Sequence, residues 1–412
     1  MNCMTDTAHR IQTSHAGSLP RTPELIAAND ARQKAAADSL SLETGPDYEA
    51  LLGDAVVDLV QRQVDIGITT PGDGAYGKAM SSDVDYGAWW SYSFQRLSGL
   101  ELLPGGPFSS APIRSTPGNV QLTTFPDRRD WTIFADAYRD PKSGISLGDS
   151  APAFPTATGP VTYTGQAAIA ADIAHFKRGL DAAGASKGFL TSLSPGSASR
   201  IGNEYYATEE EFIWACADAM REEYTAIIDA GLILQIDDPS IAENWDQINP
   251  APSVEDYLAF TRIRVEALNH ALRGLPEDRI RFHLCWGSWH GPHTTDLEFK
   301  YLVETMLEIN AGSYSFEGAN ARHEHEWRIW EDVKLPDGKQ IVPGVIGHAT
   351  NVVEHPELVA DRIERFANLV GRENVIASTD CGLGGRIHPQ IAWAKLDSLA
   401  QGAELATNRL WR

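Results

Sequence analysis

The 412-residue chain predicts an α/β fold, a single (β/α)8 TIM barrel with a long loop excursion over its mouth. Short apolar runs ending in Gly, Pro or an acid alternate with amphipathic stretches of helical length, which is the pattern of repeated βα units. Eight such strand ends occur, at 12–17, 66–73, 188–195, 232–239, 280–286, 313–318, 341–348 and 375–381, and helical patterns follow most of them, as at 208–229, 254–272, 296–309, 356–369 and 389–401. The polar and metal-capable residues gather at those ends: Ser18, Asp73, Asp237, His283, Cys285, Glu317, His348 and Cys381. A parallel barrel keeps its active site at the carboxyl ends of its strands.

Taken in order, the first run leads into Ser18, and the second ends in Gly72-Asp73-Gly74. Asp73 there reads on its own as a turn aspartate, with a substrate anchor as the sharper alternative. From about 100 to 164 the pattern breaks into Pro- and Gly-rich sequence, including 104–107 and 151–155. A stretch that long without elements of its own implies an excursion over the barrel mouth. Residues 38–48 also read as loop. The run 232–239 closes on Asp237 and Asp238, whose side chains point to opposite faces, so one acid faces the mouth and the other caps the next helix or loop. Glu317 ends the next apolar strand but one, as a metal ligand or as the ion-pair partner of Arg322 or Arg386. His348 either transfers a proton near neutral pH or caps a loop. After Cys381, the turn Gly382-Leu383-Gly384-Gly385 allows the backbone to approach a ligand closely. Glu357 and Asp361 suit the positive end of the helix 356–369. No repeat and no shift in composition divides the chain, which reads as one domain over 1–412.

Thirty-four basic against 56 acidic residues give a net charge of −22, which argues against nucleic acid and anionic membrane as partners. No apolar stretch is long enough to span a bilayer and no secretory pattern opens the chain, so a cytoplasmic location is expected. Four cysteines, Cys3, Cys216, Cys285 and Cys381, do not suggest a disulfide framework. Cys216 falls on a helical pattern and reads as a buried core thiol. Self-association into a homo-oligomer stays open.

His283 and Cys285 stand two apart on a strand and so share a face, from which they can bind one ion. With Cys381 and a carboxylate they make a soft site of the kind that suits Zn²⁺. The run His323-Glu324-His325-Glu326 does not place two histidines one helical turn apart, and reads as loop and first-turn polarity. Trp89, Trp90, Tyr92, Trp286 and Trp289 read first as packing under the excursion, and second as a wall for an apolar or aromatic substrate.

These runs resemble the cobalamin-independent methionine synthases, specifically their carboxyl-terminal catalytic barrel. The resemblance extends from Thr13-Ser14-His15-Ala16-Gly17-Ser18-Leu19-Pro20 to the last helix, without the family's separate amino-terminal barrel; stand-alone proteins of this layout include the epoxyalkane to coenzyme M transferases. It implies that His283, Cys285, Glu317 and Cys381 bind Zn²⁺, and that Asp237 and Ser18 bind an amino-acid thiol. It further implies that Asp73 takes the place of a glutamate that binds the ammonium group, and that His348, reached across a one-residue gap, handles protons. Ser192-Leu193-Ser194-Pro195-Gly196 and Trp286-Gly287-Ser288-Trp289 depart from the family's pattern where a donor would bind.

The implied activity is thiol methyl- or alkyltransfer, with a homocysteine-like small-molecule thiol as acceptor and a methyl or alkyl donor as second partner. Methylated folate, an epoxide and an aryl or apolar methyl donor all remain open. A coenzyme M acceptor would need cations for its sulfonate, and Arg21 and Arg386 are the one basic pair in view. The alternative is a zinc hydrolase or lyase using water in place of a thiol.

Overall fold

The computed structural model describes residues 9–36, 40, 42–82, 85, 87–103, 111–145 and 154–412. Cys3, the run 104–107 and residues 151–153 lie outside them. Among the described residues, seven strands form one parallel sheet: β1 (Gln12–Thr13), β2 (Phe189–Leu193), β3 (Ile233–Asp238), β4 (Ile280–Leu284), β5 (Ser313–Phe316), β6 (Gln340–Ile346) and β7 (Ile376–Thr379). Their order in the sheet is β1-β7-β6-β5-β4-β3-β2, which is the sequence order taken around a curled sheet. Every strand is buried along most of its length, as expected where helices cover one face and the barrel interior the other.

The predicted second strand, 66–73, is the one that does not form. Its place between β1 and β2 is nonetheless filled by the segment around residues 69–72. Thr69 and Thr70 donate to the Thr13 carbonyl, Phe189 donates to the Pro71 carbonyl, and Gly72 makes an isolated parallel bridge to Phe189. Pro71 has no N–H to give a ladder. Gly72 also lies against the Phe189 ring, where a Cβ would come within 2.7 Å of ring carbon. The barrel thus closes through a bridge in place of an eighth ladder.

Register sets which side chains share the interior. Leu193, Asp237, His283, Ser315 and Val342 are successive partners in one row, with Thr191, Gln235, Arg281, Ser313 and Gln340 in the row beneath. The lower row is plugged by Arg281, which donates to Ser14 Oγ at 2.8 Å and the His15 carbonyl at 3.1 Å and lies 3.9 Å from the centre of the Phe189 ring. Alternation sends Ser192 and Asp238 outward. Asp238 accepts from Ser197 Oγ and Ser240, while Asp237 stays at the mouth.

The long helix Glu209–Asp229 shows how the outer layer is built. Thr208 caps it by accepting from the Glu211 N–H, three glutamates occupy its first turn, and Phe212, Cys216, Met220, Tyr224 and Ile227 bury one stripe. Cys216 is the core thiol expected of it, and burial pushes its pKa far up.

The described parts of the excursion are tied down by buried ion pairs. Arg128 pairs with Glu243 at 2.6 Å and with Asp246 at 2.9 Å, and Arg200 pairs with Glu243 at 3.0 Å. Tyr138 and Asp130 reach the loop after β4, through Trp289 and Thr294. A second knot, at Glu223, accepts from Ser192, Tyr92, Tyr163 and Arg96. The excursion therefore covers loops that leave the carboxyl ends of β3 and β4. Within it Leu100–Glu101 pairs antiparallel with Thr156–Ala157, which pairs parallel with Gly202–Asn203. Among the described residues no helix is long and apolar enough to cross a membrane.

Glu243 gives an acid-stability prediction. Burial alone would raise its pKa, but Arg200 and Arg128 outweigh that and hold it near 2 against an ordinary 4.5. A depressed carboxylate contributes stability that is full above the unfolded value and is lost as pH falls toward the folded one. Between pH of about 6 and 2, the wild-type unfolding free energy in urea should fall by about 3 kcal/mol more than that of Glu243→Gln. Equal falls would show that the pair is not formed.

Candidate metal centre

Cys285 follows β4 and Cys381 follows β7, with β5 and β6 between them in the sheet. In a flat sheet those two edges would stand about 14 Å apart. The curl of the barrel brings the two Sγ atoms to 3.8 Å. That is well beyond a disulfide, at about 2.05 Å. It matches the spacing of about 3.8 Å that two thiolates take on a tetrahedral ion with bonds of about 2.3 Å.

His283, one side-chain position below Cys285 on the same face, completes a compact group in which one atom from each residue lies within 4.8 Å of the others. Its Nδ1 is 2.9 Å from Ser315 Oγ, its neighbour in the register row. This leaves the buried Nε2 without a hydrogen-bond partner, facing Cys381. An orphaned ring nitrogen beside two thiols, with the other nitrogen fixed by a second residue, is the arrangement of a histidine metal ligand. The residues present fit a soft divalent cation.

Glu317 stands in the adjoining cluster, with His348 and Asp380, again within 4.8 Å of one another. It is not paired with Arg322 or Arg386. Its Oε1 accepts from the Trp286 N–H at 3.1 Å and its Oε2 from Asn320 Nδ2 at 2.6 Å. Burial, with the charges of Asp380 and Cys381, pushes its pKa up to about 8. Asp380 Oδ1 accepts from Gly318 and Ala319 N–H groups, at 2.7 and 2.8 Å, while its Oδ2 and the Nδ1 of His348 are buried without partners. Gly344 is required here, because a Cβ would collide with Asp380 Oδ1.

The thiols are unequal. Cys381 is held well below its ordinary pKa by the hydrogen bond from Cys285 and then by His283, and Cys285 is pushed well above by donating that bond and by burial. For His283, burial would lower the pKa, but Cys381 and the charges of Asp237 and Glu317 raise it. His348 is lowered by burial to about 3 and is a neutral imidazole near neutral pH.

The remaining predicted residues lie on the same side of the barrel. Asp237 is in the His283 row and accepts from Gln235 Nε2 at 2.6 Å; burial raises its pKa, offset by Lys78 and His283. Asp73 is buried, accepts from the Ala75 N–H at 2.9 Å, and is raised by burial to about 6. Ser18 Oγ donates to the Gly384 carbonyl, and the Ser18 carbonyl receives the Leu383 and Gly384 N–H groups. The glycine turn after Cys381 thus packs closely on Ser18. A Cβ on Gly382 would collide with Ser18 Oγ. Arg21 and Arg386 are turned toward backbone carbonyls and Ser288, not displayed as a cationic grip.

Other expectations are resolved as well. Trp286 packs edge-on to Phe299 and donates to the Leu297 carbonyl, and Trp289 lies under Arg128, so both serve packing. His323 and Glu326 stand at the first turn of a helical segment, as expected, and both are buried. They form a buried relay in which His323 Nδ1 meets Glu326, while His323 Nε2 and His293 Nδ1 share Asp296. Despite burial these carboxylates raise His293 to about 9 and His323 to about 10, and the two cations act against the upward push on Glu317. Ser315 was legible as the residue two before Glu317 on a strand; Asp380, Asn320 and Lys78 carried no signal in the sequence.

The catalytic domain of the cobalamin-independent synthases matches residues 187–404, more than half of the chain. The protein belongs to that family. All three residues of the compact cluster fall within the match. YxjH of Bacillus subtilis, itself uncharacterized, is 24% identical over 97% of this chain and 95% of its own length. The methionine synthase of Thermococcus kodakarensis is 25% identical over 213 residues, 51% of this chain and 54% of that protein. The chain thus spans about half the length of the curated methionine synthases it matches. In fold it is similar to a B12-independent methionine synthase from Shewanella sp. W3-18-1, solved with selenomethionine, with a TM-score of 0.69, 20% identity and coverage of 97% and 99% of the two chains.

The geometry predicts one divalent ion per chain by inductively coupled plasma mass spectrometry. Cys285→Ser and Cys381→Ser should lose it while keeping the wild-type circular dichroism. Ser315→Ala, which frees His283 Nδ1, should weaken binding by roughly 10- to 100-fold. Wild-type metal content in both serine variants would overturn the assignment.

Proposed function

We propose that the protein is a zinc-dependent transferase of methyl or alkyl groups to a thiol, with a homocysteine-like aminothiol as acceptor. The observation that carries this reading is the 3.8 Å separation of Cys285 and Cys381 beside the unpartnered Nε2 of His283. In the same reading the described barrel is one unit, with the excursion as its cover.

His283, Cys285 and Cys381 would hold the ion, with Glu317 as the adjacent fourth group. Bound there, zinc supplies a Lewis acid that keeps a substrate sulfur deprotonated at neutral pH, where a free thiol of pKa about 8.5 is mostly protonated. Two thiolates and a carboxylate around a dication make the centre electron-rich, which suits a nucleophilic sulfur better than an activated water. In this reading His348 takes the S–H proton on its Nδ1, which is buried and without a partner. Because burial depresses its basicity, it would pass that proton on to the adjacent Asp380 carboxylate, whose Oδ2 is without a partner. Asp237 and Asp73 orient the acceptor through its ammonium group. Sulfur then forms its new bond to carbon as the donor's bond to its leaving group breaks. The excursion, clamped through Arg128 and Glu223, excludes water from the mouth.

The test is incubation of zinc-loaded protein with a panel of thiols and of methyl and alkyl donors, read by mass spectrometry. S-alkylated product should form from an aminothiol, and His348→Gln should lower the rate by roughly 100- to 10,000-fold with zinc retained. Hydrolysis of a donor without thioether formation would replace this reading by the hydrolase one.

A further inference from the structure

Lys78 has a side chain that the fold does not satisfy. It is 5% exposed, inside the barrel mouth, on the turn that follows Asp73. The turn is fixed on both sides: the Lys78 N–H donates to the Ala75 carbonyl, the Lys78 carbonyl accepts from Arg21, and a Cβ on Gly77 would collide with Asp172. An ammonium group has three donors. Among the described residues, Nζ makes one hydrogen bond, to the neutral Thr191 hydroxyl at 2.7 Å, rests 4.3 Å from the centre of the Tyr92 ring, and forms no ion pair. A buried cation without an anion on it is costly, and the cost is removed when an anion binds.

Its surroundings indicate which anion. Asp237, Asp73 and Glu223 are the acids that act on Lys78, in that order, with Arg96 opposing them. Glu223 already receives Arg96, Tyr92, Tyr163 and Ser192, so the acids open to a substrate are Asp237 and Asp73. Thr191, which holds Lys78, pairs in register with Gln235, and Gln235 donates to Asp237. Asp237 in turn pairs in register with His283. The interior thus runs without a break from Lys78 through Asp237 to the metal cluster. An α-amino acid carries its cation and anion on the same carbon, so a site for one must set opposite charges side by side. Lys78 beside Asp73 and Asp237 does so.

We propose that Lys78 is a substrate-binding, specificity-determining residue whose ammonium group receives the carboxylate of an α-amino-acid thiol, while Asp73 and Asp237 receive its ammonium group. The inference rests on the thiol-transfer reading for the identity of the ligand, and it predicts that thiols lacking the carboxylate are poor acceptors. Neither arginine of the mouth can substitute, because both are engaged by backbone carbonyls.

Binding can be measured without turnover. Zinc-loaded full-length protein is titrated calorimetrically with L-methionine, the S-methyl product of such a thiol, and with 3-(methylthio)propylamine, which lacks only the carboxylate. Wild type should bind methionine roughly 10- to 100-fold more tightly than the amine, the range of a charge-assisted hydrogen bond. Lys78→Met should abolish that difference by weakening methionine alone, with zinc content kept and the melting temperature of the free protein not lowered; Lys78→Gln serves if the methionine variant does not fold. Equal binding of the two ligands by wild type, including no binding of either, overturns the proposal, as does equal weakening of both by the substitution. A Lys78-dependent preference for methionine in a protein that alkylates no thiol would retain the binding role and remove the transferase reading. Thioether formation with no carboxylate preference would do the reverse.

Discussion

The curl of the sheet is the constraint on which the rest of this molecule depends. Cys285 and Cys381 come from strands that are three positions apart, yet their sulfurs are 3.8 Å apart. No local feature of either segment accounts for that. It requires seven parallel strands to hold a closed register, with the short segment at residues 69–72 completing the ring through Gly72 and Phe189. A flat sheet would hold the two thiols apart.

Around that pair the protein concentrates charge that it could not bury without compensation. Cys381, Glu317, Asp380 and Asp237 converge within one low-dielectric region. The pKa of Glu317 is pushed to about 8, and those of His293 and His323 to about 9 and 10. All three shifts are upward: burial and the neighbouring negative charges of Asp380 and Cys381 raise Glu317, and Asp296, Glu326 and Glu317 raise the histidines. The two histidines offset part of the negative charge around Glu317, and a dication would offset more of it. Three of the buried polar atoms without partners, His283 Nε2, His348 Nδ1 and Asp380 Oδ2, lie together in this region, as expected of groups arranged for a ligand.

Much of this was legible in the sequence because strand periodicity is simple. The two-residue spacing of His283 and Cys285, the strand-end position of Glu317 and Cys381, and the opposed directions of Asp237 and Asp238 all come from the alternation of side chains on a strand. The features that could not be read have identifiable reasons. The segment 66–73 has the composition of a strand, but Pro71 and the contact of Gly72 with Phe189 reduce it to a bridge. His323 and Glu326 read only as first-turn polarity, because Asp296, the second carboxylate on His323, is 27 residues away. The glycines after Cys381 signal close approach, and the structure shows one such approach, to Ser18. Lys78 is a single lysine in a turn, and only the fold reveals that it is buried without an anion. The split of the expected four metal ligands into a tight trio and an adjacent glutamate is likewise a matter of three-dimensional packing.

X-ray absorption at the zinc edge of the zinc-loaded protein, before and after addition of homocysteine, tests the central claim most directly. The resting protein should show two Zn–S contacts of about 2.3 Å, with nitrogen and oxygen completing the shell, and a third sulfur should enter when the thiol is added. A shell without two sulfurs would contradict the site, and a shell unchanged by saturating homocysteine would contradict its function.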